Sequence, residues 1–491
     1  MNLHLTFGCA FLAISLFVSS NQFAQETTPQ RPADSNQLAA QQAAAAQQQN
    51  QQELIRKRLV AELDLLIPGS FEAGSDREKG INDAVVAFQQ GNLTETSRIL
   101  KKLAETDKAL PPVELLEAGL IFASGNANQG FQILEAAALK YPDYPGIYFA
   151  FGRLAILQKR LTDATALVEK AAAKTKATEF TEEESEFFRT QYYASMVDIS
   201  MQQQRYDVAR ENLSRLEAIR PDSNKIGSTR AELDFIDQKY DSSYTRLKDY
   251  HEKNPQTALP EIVMAQWFQA IGKMDETGKW ITKAAEAYPN NPIVQFQFAN
   301  YAVNTNDFPK ATSAIKKIED AVGKETPETI LLKAKMAFVG EAYGMAEVHY
   351  KKLLEQQPTN FDAANMYALA LIESENEDKQ KLALQIVQRN FQELSDNQIA
   401  QAAFGWVLWR LGEKNKAEEL FTRAARSPQL APEVAYFLAN MMHDLGRSQQ
   451  AKLVLEPAMK SSNMFMYRPA ATRLMKAIDN SSNNSLPPPE K

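Results

Sequence analysis

A spacing of 34 residues runs through this chain in several parallel tracks, and it restricts the fold more than any other property of the sequence. Small residues recur at Ala209, Ser243, Thr277 and Ala311. An aromatic residue or methionine precedes each in the same register, at Tyr206, Tyr240, Met274 and Phe308, and Leu213, Leu247, Ile281 and Ile315 follow in step. Pro221, Pro255 and Pro289 keep the same interval. Upstream, Thr96, Gly130 and Ala164 continue the small track, with Leu100, Leu134 and Val168 behind them. Downstream the pattern returns from Gly412 to Gly446, Ala417 to Ala451 and Phe421 to Leu455. Other small residues, among them Ala84, Gly152, Ala265, Ala299, Gly405 and Ala439, mark the preceding segment of each unit. A period of this length belongs to repeat architectures in which each unit is one supersecondary element.

The tracks describe two antiparallel helices per unit. A small residue late in the first helix and another early in the second let the backbones approach, and the bulky residues between fill the core. Proline ends the second helix, because it lacks an N–H and restricts the residue before it. One such pair leaves an apolar face uncovered, so pairs must stack into a solenoid. A 34-residue helix–turn–helix with this small, large and proline signature resembles the tetratricopeptide repeat. The expected fold is all-α, an α-α superhelical solenoid of about eleven tetratricopeptide-like pairs with capping helices. The units begin near residues 77, 111, 145, 190, 224, 258, 292, 327, 361, 398 and 432. The aromatic usual near the start of the first helix is mostly missing, and several second-helix small positions hold Thr or Ser.

The register breaks twice. Ala164 to Ala209 is 45 residues, an excess of 11 that includes EFTEEESEFF, Glu179–Phe188. Ala346 to Ala383 is 37, an excess of 3 near ESENEDKQ. Both read as solvated extensions, with a docking feature on one face as the alternative.

The termini carry the evidence on location. Leu5–Val18 is a mostly apolar run, too short for a span of about 20 residues. It reads as the apolar part of a cleaved secretory signal, 1–24, although no Lys or Arg precedes it. An uncleaved tether is the alternative. Residues 25–52 form a Gln/Ala-rich low-complexity linker, and 53–76 an N-terminal capping helix with Ile55, Leu59, Leu63 and Leu66 on its apolar stripe. The repeats occupy 77–465, a C-terminal capping helix 466–479 and a disordered tail 480–491. Cys9 is the only cysteine, so a chain shortened by signal removal has no disulfide, zinc thiolate or cysteine nucleophile. The expected setting is a bacterial envelope, periplasmic or secreted, with no stable membrane span after cleavage.

No catalytic constellation stands out, and no cofactor or metal is expected. His251, His349 and His443 lie far apart, without an HExxH or i,i+4 pair. GKMDETGKW, Gly272–Trp280, only approximates a phosphate-binding loop, because its glycines are one residue too far apart and Trp280 replaces the magnesium-binding Ser or Thr. Gly272 reads as the turn of its repeat. A net charge of −7 without a long basic run argues against nucleic acid. A hydrolase using groove carboxylates, such as Asp198 and Glu232, is the remote reading.

The resemblance implies that first helices line a concave groove where ligands lie. By register the inward positions include Phe149, Arg153, Asp198, Glu232, Gln266 and Gln269, then Phe296, Asn300, Lys335 and Asn365. Trp406, Trp409 and Arg410 follow, with Tyr436, Asn440 and His443 on the next repeat. The candidate groove contacts are thus Arg153, Asn300, Lys335, Trp406, Trp409, Arg410, Tyr436, Asn440 and His443. Trp406 and Trp409 share one helix face with Arg410, the residue types that dominate interface hot spots. Packing in the seam between repeats is the competing account of the tryptophans. The expected function is a non-enzymatic scaffold that binds an extended peptide or partner segment. A glycan-binding module, with the tryptophans as stacking platforms, is the alternative.

Overall fold

Eleven helix pairs follow the register, all beginning within about two residues of the expected starts except the fourth, which begins at Glu182 and not near 190, and in each the sequence divides labour between the two helices. The structure, a computed structural model, describes residues 52–69, 74–221 and 224–483. The expected signal and almost all of the Gln/Ala-rich linker lie outside these residues, as does the tail from residue 484. The described residues divide in the chain between Tyr250 and His251 into two compact units.

The N-terminal unit opens with helix α1 over residues 52–64. Four pairs follow: α2 (Asp76–Gln89) with α3 (Leu93–Thr106), α4 (Val113–Ala123) with α5 (Ala127–Lys140), α6 (Pro145–Leu157) with α7 (Leu161–Ala177), and α8 (Glu182–Gln202) with α9 (Tyr206–Ile219). The fifth pair is α10 (Asn224–Ile236) with α11 (Tyr240–Lys253), and the division falls near the end of α11.

The C-terminal unit holds α12 (Pro260–Ala270) with α13 (Met274–Ala287), α14 (Pro292–Asn304) with α15 (Phe308–Val322), and α16 (Pro327–Val339) with α17 (Tyr343–Gln356). Then come α18 (Phe361–Leu371) with α19 (Glu377–Glu393), α20 (Gln398–Arg410) with α21 (Lys414–Ala424), and α22 (Pro432–Asp444) with α23 (Ser448–Met459). Helix α24 (Arg468–Asn483) ends the described chain. No strand occurs among the described residues. The resemblance to the tetratricopeptide repeat therefore holds in three dimensions, pair by pair.

First helices are buried on several sides. Nine residues of α20 are buried, Ala400 to Ala403, Gly405 and Trp406 to Trp409. Second helices bury one stripe, as α21 does with Ala417, Leu420, Phe421 and Ala424 at helical spacing. The small track makes the close approach. A Cβ at Gly405 would stand 2.9 Å from the Phe421 ring. Where the small residue is Ser243 or Thr96, its hydroxyl donates to a carbonyl of the partner helix, Ala231 at 2.8 Å and Ala84 at 3.4 Å, while Thr277 donates to the Lys273 carbonyl at the start of its own helix. The departure from the usual small residue is thus accommodated by a backbone hydrogen bond. Proline starts α6, α12, α14, α16 and α22, where its missing N–H costs nothing.

Ten of the eleven intra-pair turns place one residue at positive φ, and five of these are not glycine: Lys159, Gln204, Gln238, Asn306 and Glu341, at 59° to 61°. Gly272, at φ 74°, is one of the glycine turns, so GKMDETGKW starts a helix pair's second arm rather than a phosphate loop. A left-handed non-glycine residue costs about 1 kcal/mol. Lys159→Gly, at an exposed turn, is expected to raise stability by about 0.5–1 kcal/mol, read as a higher urea midpoint at unchanged m-value.

Both register breaks are helical. The excess of 3 is an extra N-terminal turn of α19, capped by Asn376 on the Lys379 N–H. The excess of 11 lengthens α7 to 17 residues and α8 to 21. Thr181 and Glu184 form a reciprocal capping box at the start of α8. The expectation of a solvated extension is corrected here: Phe188 is 1% exposed and packs against Phe149, Phe180, Phe187 and Tyr144. The acidic residues face water while the phenylalanines between them add a local core.

The terminal helices also differ from the sequence reading. α1 stops at residue 64, and its buried stripe is Leu59, Leu63 and the following Ile67, with Ile55 half exposed. α24 runs through Asn483, past the expected start of the tail.

Candidate functional site

In each unit a terminal segment of the chain lies across first helices, on positions the register turned toward a groove. In the N-terminal unit, Leu63 and Leu66 close on Gly119 of α4. Beyond it, Glu62 pairs with Arg153 of α6, and the Leu65 carbonyl accepts from Gln191 of α8 at 2.9 Å. Arg153, expected to meet a ligand, is held by the chain's own α1.

In the C-terminal unit the segment between α23 and α24 does the same. Tyr467 is 2% exposed and stacks on Tyr436 at 5.1 Å, with Phe338, Trp406 and Phe437 around its ring. Arg473 of α24 pairs with Glu341 at 2.5 Å. The Met466 N–H donates to Glu433 Oε1 at 2.9 Å, and burial pushes the Glu433 carboxyl above the usual carboxylate range, opposed by that N–H and by Arg468.

This arrangement decides where Trp406 and Trp409 go. Trp406 is 3% exposed and stacks on Phe437 at 4.6 Å with rings 15° apart. Its Nε1 is buried without a hydrogen-bond partner. Trp409 is 7% exposed and its Nε1 donates to Asp444 at 3.2 Å. The expectation that both face an open groove is therefore corrected; they pack, because Tyr467 and α22 occupy the space before them. Arg410 donates to both oxygens of Glu373, at 2.8 and 2.7 Å. Burial works against its charge and Glu373 more than restores it. The Tyr436 phenol is pushed up to about 12, chiefly by burial.

The remaining candidates separate. Asn440 is half-buried beside Tyr436, to which it hydrogen-bonds. His443 Nδ1 lies 3.0 Å from Ser448 Oγ, at the turn into α23. Asn300 and Lys335 do come together: Lys335 Nζ donates to Asn300 Oδ1 at 3.4 Å, and burial lowers the lysine pKa against the pull of Asp362.

Asn300 also borders an open, polar cavity on this face. A cavity of about 280 Å³ lies between α12, α13 and α14. Five amide side chains line it: Gln266 and Gln269 from α12, and Gln297, Asn300 and Asn304 from α14. Met464 reaches its rim. Gln269 Nε2 and Asn304 Nδ2 both donate to the Ser462 carbonyl, at 3.4 and 3.2 Å. Gln266, Gln269 and Asn300 were legible from the register. Gln297 and Asn304 were missed, although both lie three or four residues from inward positions on the same helix, which puts them on that face. Amides at this spacing offer donors and acceptors without net charge, which suits a peptide backbone.

No group of three or more His, Cys, Asp or Glu residues among the described residues is placed to hold a metal. No described helix is long and apolar enough to cross a membrane.

No protein-family model and no curated protein matches the chain. Among solved structures it is similar to a tetratricopeptide repeat protein from Parabacteroides merdae, at 15% identity over 52% of this chain and 99% of that one, with a TM-score of 0.39. PilW, a type IV pilus biogenesis factor, is 16% identical over 44% of this chain and 98% of its own, with a TM-score of 0.34. YrrB, described as a tetratricopeptide protein with an unusual peptide-binding site, is 21% identical over 39% of this chain and 97% of its own, with a TM-score of 0.25. At TM-scores this low the likenesses carry no argument, and the repeat assignment rests on the register and the helix pairs.

Proposed function

We propose that this protein is a non-catalytic scaffold that binds an extended peptide or partner segment, and that the amide-lined cavity of the C-terminal unit is a principal contact. One observation carries the reading. The face that holds the amides already meets a piece of main chain, the Ser462 carbonyl, which accepts from two different helices. Side-chain amides recognise backbone regardless of the residue presented, so the contact is general and specificity comes from neighbouring side chains. The apolar run at Leu5–Val18 supports an envelope setting, periplasmic or secreted. No observation at the cavity favours a glycan, since both tryptophans that could stack on one are buried elsewhere.

The test is selection of a displayed random-peptide library on the full chain, compared with Gln266→Ala/Gln297→Ala/Asn300→Ala. Selected peptides are expected to bind the variant roughly tenfold to a hundredfold more weakly, as loss of amide contacts of about 1 kcal/mol each implies. Failure to enrich any peptide, or equal binding by the variant with an unchanged melt, removes the cavity from the reading. Enrichment on a glycan array in place of peptides would transfer it to the glycan alternative.

A further inference from the structure

The main-chain segment that touches the amide cavity divides into two parts of different character. Phe465, Met466 and Tyr467 are 1%, 7% and 2% exposed and belong to the core of the C-terminal unit. Just before them, Ser462 and Met464 are half-buried and Asn463 is exposed. Behind this strap, Arg468 fastens its root by donating to the Met459 and Ser461 carbonyls at 3.0 and 2.8 Å. The strap Ser462–Met464 is thus a short tether between two fixed points, and between them it touches the cavity only lightly. Its two hydrogen bonds, at 3.4 and 3.2 Å, lie at the long end of the N–H···O range.

The strap also fits the cavity incompletely. Asn304 donates through Nδ2 to the Ser462 carbonyl, but its Oδ1 is buried and accepts from nothing. A side-chain amide pairs fully with a backbone that presents both a carbonyl and an N–H. The strap presents the carbonyl alone. An unmet buried acceptor penalises the occupied state, so a segment that supplies the missing N–H holds an advantage over the strap.

We infer that Ser462–Met464 is a displaceable lid on the amide cavity, and that the segment admitted in its place is an extended peptide. It offers a main-chain N–H beside the carbonyl that Gln269 and Asn304 hold, and a flexible apolar side chain such as methionine where Met464 reaches the rim. The inference rests on the peptide reading above and adds the occupant's chemistry and the competition. Met464 specifies the side chain, since an unbranched thioether adapts to an irregular apolar rim beside polar walls. Displacement leaves the fold intact, because the anchor residues and Arg468 stay in place.

The probe is a fluorescein-labelled synthetic copy of residues 459–467, which, freed of the two anchors, can turn a main-chain N–H toward Asn304 as the tethered strap does not, and it is measured by anisotropy against the full chain. The loosened variant Ser462→Gly/Asn463→Gly/Met464→Gly keeps both anchors and is expected to bind the probe at least about tenfold more tightly than the unsubstituted protein, because its own strap competes less. Adding Gln269→Ala/Asn304→Ala to the loosened variant is expected to abolish that gain. Thermal melts within a few degrees of the unsubstituted protein establish that the variants are folded. Equal binding by the loosened and unsubstituted proteins overturns the lid while leaving peptide binding in place. Absence of binding to both proteins, with library selection also empty, overturns both readings together.

Discussion

Trp406→Ala is expected to lower the stability of the C-terminal unit by about 3–5 kcal/mol. The ring is 3% exposed, stacks on Phe437, and touches Tyr436 and Tyr467, so its removal leaves a cavity lined by aromatic rings fixed from α22 and from the turn before α24. These neighbours cannot collapse into the gap without shifting α22 or the Tyr467 anchor, which puts the cost near the upper part of the range for large-to-small changes. Trp406→Phe separates packing from hydrogen bonding. It retains a stacking ring and removes Nε1, which is buried without a partner, so it is expected to cost much less than the alanine variant. Urea denaturation followed by far-UV circular dichroism reads both. A Trp406→Ala midpoint equal to that of the unsubstituted protein would return the tryptophan to the list of ligand contacts.

The second large effect falls in the N-terminal unit. Phe188→Ala is expected to cost about 3–5 kcal/mol, because the ring is 1% exposed at the centre of a cluster with Phe149, Phe180, Phe187 and Tyr144. Its acidic neighbour Glu182 reaches outward with its side chain 82% exposed, so Glu182→Ala is expected to change stability by no more than about 0.5 kcal/mol. The contrast tests whether the 11-residue excess is a structural insertion. Equal, small effects from both substitutions would return the segment to the role of a solvated loop.

These two sites show where a sequence pattern stops being informative. The 11-residue excess was visible as a broken interval, and the capping box of Thr181 and Glu184 emerged from the structure. The run of glutamates hid the phenylalanines, because an acidic stretch and an apolar face can share one helix at different angles. The tryptophans were legible as a pair on one face. Their burial had a local signal that was available: α20 is apolar nearly all round, and helices of that kind are buried on all sides. What covers the face was not local. Tyr467 arrives from a segment with no repeat register, and nothing in α20 refers to it.

The sequence by itself determined the repeating unit: the helix pairs, their spacing and their small contact residues. Each of these depends on neighbours within one period, where backbone propensities and side-chain spacing act over a few residues. Only the tertiary structure decided which inward residues remain available. The terminal segments lie across first-helix faces, pairing Arg153 with Glu62, burying Trp406 and Tyr436, and leaving the amides of α12 and α14 beside Ser462. That outcome depends on contacts outside the repeat register, from Glu62 on Arg153 and Tyr467 on Trp406 to Ser462 on Gln269 and Asn304, the last more than a hundred positions apart. Local periodicity places a side chain on a face, and only the path of the rest of the chain determines what that face meets.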